Sequence, residues 1–373
     1  MTGVPFVDFK ARVAALRGEL DEAVARVLDS GWFILGPEGE AFERELAQAT
    51  GAADAVGVAS GTEAIQLALD AVGVGPGDEV VTSPLSAAFT GLAILARGAR
   101  PVFADLDPAT LNVSPDAVAR AVTRRTKALL PVHLYGHPAD LEPLLEIARD
   151  HGVTLVEDAC QAHGARYKGR VVGALSGIGA LSFYPTKNLG ALGDGGAILV
   201  NDPARAARIR RLRNGGQTDR YHHAEPGLNS RLDEMQAAIL RVGLRHLEAA
   251  NERRRALAST YLRELADVPG LGLPREQAYA RANYHLFVVR HGRRDALMAA
   301  LKERGVGTLI HYPVPLHLQG AFASSSSGGR PGAFPVAEKA AGEILSLPLY
   351  PEMTDAQVLT VAAAVRDAAA RLR

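Results

Sequence analysis

Lys187 lies in "SFYPTKNLGALGDGG", residues 182–196, a stretch with no second basic side chain and one acid, Asp194. The chain has six lysines against thirty-five arginines, so the choice of lysine here is itself informative. Close glycine turns and little neighbouring charge leave an amine poorly solvated, which lowers its affinity for a proton. An unprotonated lysine amine attacks carbonyl carbons and forms Schiff bases. A lysine facing solvent in a turn is the plain alternative, and the rest of the chain must decide between them.

The commonest partner for such an amine is pyridoxal phosphate, which also needs a carboxylate for its ring nitrogen and a site for its phosphate. In "VTLVEDACQAHGA" an apolar strand pattern ends at Glu157 and Asp158. Acids at strand ends often cap turns. An aspartate at the carboxyl edge of a buried strand also stays ionised against a protonated pyridine nitrogen, and Asp158 suits that task. Gln161, three residues on, is placed to meet the ring hydroxyl, while His163 reads more simply as a satisfied core histidine. In "VASGTEAIQLALDAVG", Ser60, Gly61 and Thr62 join a strand pattern to a helix pattern. Glycine allows close approach to an oxyanion, and a helix start offers free N–H groups and a favourable dipole. An ordinary N-cap would use the same residues. Ser182 adds a hydroxyl just ahead of the lysine. Phosphate loop, aspartate and lysine in this order, each at a strand end, make a specific combination.

Those strand ends need a frame. Val13, Leu16, Leu20, Val24, Val27 and Leu28 repeat at helical spacing over residues 10–30, and Pro37 opens a second helix to about Gln48. Strand-like runs "DAVGVA", "DEVVTS", "RPVFAD", "KALLPVHL" and "VTLVED" then alternate with helical patterns from Thr62, over 86–97, near 115–122 and from Pro138. "GALSF" and "GGAILVND" flank the lysine segment. This alternation predicts an α/β fold with a mostly parallel sheet covered on both faces and sites at the carboxyl ends of its strands. A helical run over 234–263 leads into a second βα series beginning at "NYHLFVVR" and ending in a helix over 354–372. The expected division is a large domain over 14–245 and a small one over 246–373, with residues 1–13 packing on the latter. Residues 320–332 read as a surface loop.

Composition narrows the partners. At 47% hydrophobic and 22% charged residues, the chain can bury one large core and a smaller second one. Acids and bases balance at 41 each, so no bulk field favours nucleic acid or an anionic membrane, and small-molecule ligands are expected. One cysteine, Cys160, rules out an internal disulfide framework and multi-cysteine metal sites. "YHH" at 221–223 and the pair His311 and His317 have no acid at metal-ligand spacing, so no metal is expected. Scattered charge near the start and the lack of a run of about 20 apolar residues point to the cytoplasm.

"SGTEAIQLAL", "EDACQAHGA", "SFYPTKNLGALGDGGA", "GLNSRLDEMQAAIL", "HYPVPLHLQ" and "LSLPLYPEM" together resemble the DegT/StrS-type sugar aminotransferases, pyridoxal phosphate enzymes of fold type I, from about residue 5 to the C-terminus. The resemblance implies a seven-stranded, mostly parallel sheet between helices and a smaller C-terminal α+β domain. It implies that Lys187 carries the Schiff base and Asp158 meets the ring nitrogen. Gln161 would lie by the ring hydroxyl, and Gly61, Thr62 and Ser182 would hold the phosphate. It implies a homodimer in which Asn229 reaches the partner's cofactor, and places Tyr221, His222, His311 and Tyr312 near substrate. The implied reaction moves an amino group from L-glutamate to a nucleotide-linked 3-keto or 4-keto deoxysugar. An aminocyclitol made from a keto-inositol, or a non-catalytic cofactor-binding regulator, are the alternatives. Two positions depart from the family pattern. Ala87 stands where relatives stack an aromatic ring on the cofactor, with Phe89 two residues on, and Cys160 replaces a common alanine.

Overall fold

The computed structural model describes residues 3–323, 325 and 329–372. Seven strands form its central sheet: β1 (Asp54–Val58), β2 (Glu79–Thr82), β3 (Arg100–Phe103), β4 (Thr126–Leu130), β5 (Thr154–Leu155 continuing as Glu157–Asp158), β6 (Ile178–Ser182) and β7 (Gly196–Val200). Their order is β3-β2-β4-β5-β6-β7-β1. Hydrogen bonds from Val156 N–H to Leu129 O and a bridge between Val132 and Asp158 carry the sheet through β5. β7 is antiparallel to both neighbours, and the remaining pairings are parallel. Strand alternation sorts the apolar residues into two cores. Ala55, Val81, Leu129, Leu155, Leu181 and Leu199 face one, and Val56, Val80, Leu130, Val156, Ile178 and Ile198 the other.

The second half of the chain builds a three-stranded antiparallel sheet from Leu271–Gly272, Phe287–His291 and Ile344–Leu347. Leu257, Tyr261, Phe287, Leu297, Leu345 and Val361 form its core. Val4 belongs to the same cluster, and its backbone bonds to Gly305 and Gly307 at 2.9 Å each. One 31-residue helix, Glu234–Glu264, serves both halves.

Three expectations need correction. The helical pattern over 10–30 splits into Phe9–Ala15 and Arg17–Ser30, because Leu16 leaves helical geometry at φ −118°, ψ 10°. The helix expected over 86–97 starts at Ala88, which frees Ser86 and Ala87 for the loop before it. Within 320–332, Gly320–Phe322 forms a 3-10 turn with Phe322 fully buried, so apolar packing overrides the loop-like composition; part of that segment lies outside the described residues. Among the described residues no helix is long and apolar enough to cross a membrane.

Candidate active site

Loops leaving the carboxyl ends of β1, β2, β5 and β6 meet the second half of the chain around a cavity of about 710 Å³. Ser60, Gly61 and Thr62 line it after β1, Ser86, Ala87, Phe89 and Thr90 after β2, Asp158, Cys160 and Gln161 at β5, and Ser182 and Lys187 at β6. Arg254, His285, His311 and Tyr312 close it from the other side.

Lys187 is half-buried, in a turn closed by its own N–H to Tyr184 O at 2.8 Å. Arg12, from the first helix, pins this loop by donating to the carbonyls of Pro185 (3.0 Å), Lys187 (3.3 Å) and Gly190 (3.3 Å). Enclosure holds the amine below its ordinary pKa, with Cys160 and then Asp158 pulling the other way.

Asp158 is 2% exposed. Its Oδ2 accepts from the Thr90 hydroxyl at 2.8 Å, which itself lies 2.8 Å from Ser86 Oγ, and its Oδ1 accepts from Cys160 N–H at 3.2 Å. Gln161 Oε1 accepts from Tyr135 N–H at 2.7 Å, and its amide donates to the Tyr312 hydroxyl at 3.1 Å. His311 Nδ1 lies 2.8 Å from Ser346 Oγ; burial and the nearby Lys187 lower its pKa to about 4, so the ring is neutral at neutral pH.

At the helix start, Ser60 Oγ accepts from Glu63 N–H at 3.2 Å, the ordinary capping bond. Gly61 does something a cap does not require: a Cβ there would lie 2.5 Å from Ser182 Cβ, so only glycine brings the helix start this close to β6. Thr62 and Ser182 line the cavity beside it.

Cys160 lines the cavity, with Sγ 3.8 Å from Ala180 O. Burial, and then Asp158, push the thiol well above its ordinary pKa, which keeps it protonated and a poor nucleophile. Phe89 sits on the first turn of Ala88–Ala96, 60% exposed and lining the cavity with Ala87. His163 is in the core but is not satisfied there: among the described residues neither ring nitrogen has a hydrogen-bond partner, and burial drops its pKa to about 3.

Three residues singled out from sequence lie away from this cavity. Tyr221 is 77% exposed, and His222 pairs with Asp219 on the hairpin Gln217–Asp219 and His222–His223. Asn229 is exposed on the bridge to Asn214. Among the described residues no cluster of three or more metal-ligating side chains exists, and buried His317 is held by Glu338 at 3.1 Å. Sequence reasoning passed over Thr90, Arg12, Arg254 and His285. Only Thr90 carried a local signal, four residues beyond Ser86 on what becomes a helix.

The residues present fit pyridoxal phosphate. A desolvated amine, a buried carboxylate and a glycine-cleared helix start converge on one cavity. The fold and this site define the class, a pyridoxal-phosphate-dependent aminotransferase of fold type I. Residues 15–366 match the model of the DegT/DnrJ/EryC1/StrS aminotransferase family, and the chain belongs to that family. It is 51% identical over 369 residues to the dTDP-3-amino-3,4,6-trideoxy-alpha-D-glucose transaminase of Streptomyces venezuelae, covering 99% of this chain and 97% of that one. The crystal structure of S. venezuelae DesV in complex with a ketimine intermediate superposes with a TM-score of 0.97 at 51% identity, covering 99% of each chain. The structure of NtdA from Bacillus subtilis with bound cofactor PMP gives a TM-score of 0.92 at 30% identity, covering 99% of this chain and 86% of that one.

Proposed function

We propose that this chain moves the amino group of L-glutamate onto C3 of a nucleotide-linked keto deoxysugar. The observation that carries this reading is the meeting of Lys187 and Asp158 in one cavity, in a chain half identical to a transaminase whose name specifies a 3-amino sugar. When bound, pyridoxal phosphate supplies a carbonyl carbon that takes up amines and a ring that accepts the electron pair left by a departing proton. Lys187 Nζ, whose affinity for a proton is lowered by its enclosure, would take the proton from the donor's α carbon and later return one to the acceptor's C3. Asp158, oriented by Thr90 and Cys160 N–H, holds a proton on the ring nitrogen. Gly61, Thr62 and Ser182 hold the phosphate at the helix start. Gln161 orients the ring hydroxyl from its position between Tyr135 and Tyr312. Phe89, exposed at the mouth, would cover the ring face that Ala87 leaves open.

The division into a cofactor-holding domain over 14–245 and a small domain over 246–373 belongs to this reading, as does work in the cytoplasm by a homodimer. Support for the dimer comes from the apolar segment Trp32–Leu35, where Trp32 is 57% and Phe33 50% exposed, and from the turning of Asn229, Tyr221 and His222 away from their own cavity. In the dimer those three serve the neighbouring subunit's site.

The test is spectroscopic. The yellow holoenzyme should bleach with L-glutamate and recover its colour with a 3-keto nucleotide sugar, in a panel that also holds 4-keto sugars and keto-inositols. Recovery with a keto-inositol alone would make the product an aminocyclitol. Colour that persists through glutamate addition would indicate a regulator that binds cofactor without turnover.

A further inference from the structure

The His285 ring lines the cavity, is 7% exposed, and has no task in the reaction as derived. Its surroundings decide where its proton sits. Asn188, the residue after Lys187, donates its amide N–H groups to Asn283 O at 3.1 Å and to Asn251 Oδ1 at 2.8 Å. A backbone carbonyl only accepts, so the Asn188 amide has one orientation and turns its Oδ1 to His285 Nδ1 at 3.2 Å. Asn251 is fixed in the same way by His163 O at 2.9 Å, and Asn283 Oδ1 accepts from the His285 backbone N–H at 3.0 Å. All three amides are buried, and turning any of them over would set donor against donor. Nδ1 therefore carries the ring proton. Burial, then the neighbouring Lys187 and Arg254, hold the ring well below its ordinary pKa, so it is neutral at neutral pH and Nε2 is a bare acceptor. Nε2 makes no hydrogen bond among the described residues and, unlike both nitrogens of His163, is not closed off by neighbouring atoms.

An open lone pair in a cavity wall calls for a donor, and Lys187 lies one residue from Asn188 in the same cavity. When the lysine acts as a base, its Nζ gains a proton and a positive charge. Two other acceptors nearby are already engaged, Gln161 Oε1 by Tyr135 N–H and Asp158 by Thr90 and Cys160 N–H. We propose that His285 is a positioning residue for Lys187: its Nε2 accepts a hydrogen bond from Nζ once the amine has left the cofactor, and so steadies the ammonium formed as the donor's proton is taken up. The proton stays on Nζ, ready to be returned. The proposal rests on the transaminase reading and deepens it. A sugar hydroxyl is the other donor that suits a lone pair, and it would be felt in the sugar half-reaction alone.

His285→Phe and His285→Gln, loaded with cofactor and checked for wild-type circular dichroism, test this by single-turnover kinetics. At saturating L-glutamate the bleaching rate constant should fall about 10- to 100-fold in His285→Phe. Recovery of colour with the keto sugar should slow by a similar factor, with the half-saturating concentrations nearly unchanged. The isotope effect from glutamate deuterated at the α carbon should rise, because proton transfer then governs more of the rate. His285→Gln, whose carbonyl accepts, should regain most of the loss; a glutamine no better than phenylalanine would reduce His285 to packing and overturn the proposal. A loss confined to the sugar half-reaction would give the lone pair to a sugar hydroxyl, and unchanged rates in both would leave it without a donor; either result overturns the proposal. Nitrogen NMR of the histidine-labelled wild-type holoenzyme, with His285→Phe to assign the signal, reads the tautomer apart from turnover. A proton on Nε2 overturns the proposal whatever the rates. A bare Nε2 in a wild type that fails to bleach with glutamate would instead mark the failure of the transaminase reading.

Discussion

Glu157 and Asp158 are consecutive in β5, so their side chains leave opposite faces of one strand. Glu157 is closed in. Its Oε2 meets His133 Nε2 at 3.1 Å and Gly173 N–H at 2.7 Å, its Oε1 accepts from Ser176 N–H at 2.7 Å, and His133 Nδ1 is in turn taken by Ala139 N–H at 2.9 Å. Asp158 is almost as deeply buried, with two partners and a cavity in front of it. The same contrast separates the arginines. Arg210 and Arg213 share Glu43, and Arg210 also pairs with Asp54, while Arg254 pairs with no acid among the described residues. Burial alone does not mark the groups proposed to work. What marks them is a hydrogen-bonding capacity that the fold leaves partly open toward a cavity.

Substitutions should separate the open set from the closed one. The largest effect is expected at Lys187→Ala, where transfer from L-glutamate should drop by about 10⁴-fold or more while cofactor absorbance is retained; single-turnover rates check this, and near-normal turnover would remove the lysine from the chemistry. Asp158→Asn should slow the same half-reaction on the order of 1000-fold with little change in the urea midpoint. Glu157→Gln should reverse that pattern, losing about 3 kcal/mol of folding stability with the half-reaction rate nearly unchanged. A variant of Glu157 that loses rate and keeps stability would erase the distinction.

The smallest effect concerns pH. His163 has an ordinary value of 6.5 and a folded value of about 3, so between these limits the unfolded chain binds more protons and stability falls as the pH falls. Replacing it in His163→Phe should flatten that acid limb by about 1.4 kcal/mol per pH unit in cofactor-free protein, read from denaturant midpoints between pH 6.5 and 4. A limb of unchanged slope would mean that the imidazole finds a partner below neutrality.

Much of this arrangement was legible because it is local. Lys187, Asp158, Gln161, Ser182, Gly61 and Thr62 sit in three short segments at strand ends, and β-α alternation carries strand ends to one edge. The seven strands were readable for the same reason, each being a short apolar run with its own turn signals. Arg254 shows where this kind of reading stops. It stands between Arg253 and Arg255, and nothing in "ERRRAL" distinguishes the three. Only helical phase against two cores decides that Arg253 reaches Met353 O, Arg255 reaches Glu248 and Glu252, and Arg254 turns into the cavity. The break at Leu16 and the burial of Phe322 were hidden likewise, since each depends on distant contacts.

The helix Glu234–Glu264 contributes Ala237 and Leu240 to the first core, Ala238, Ile239 and Val242 to the cluster under the N-terminal helices, and Leu257, Ala258 and Tyr261 to the second core. It is a shared spine. Losing any one of these clusters strips apolar cover from a stretch of the same rod, and fraying at one end propagates toward the others. The lysine edge and the arginine wall are thus held in register by a single stiff element, and melting should strike them together.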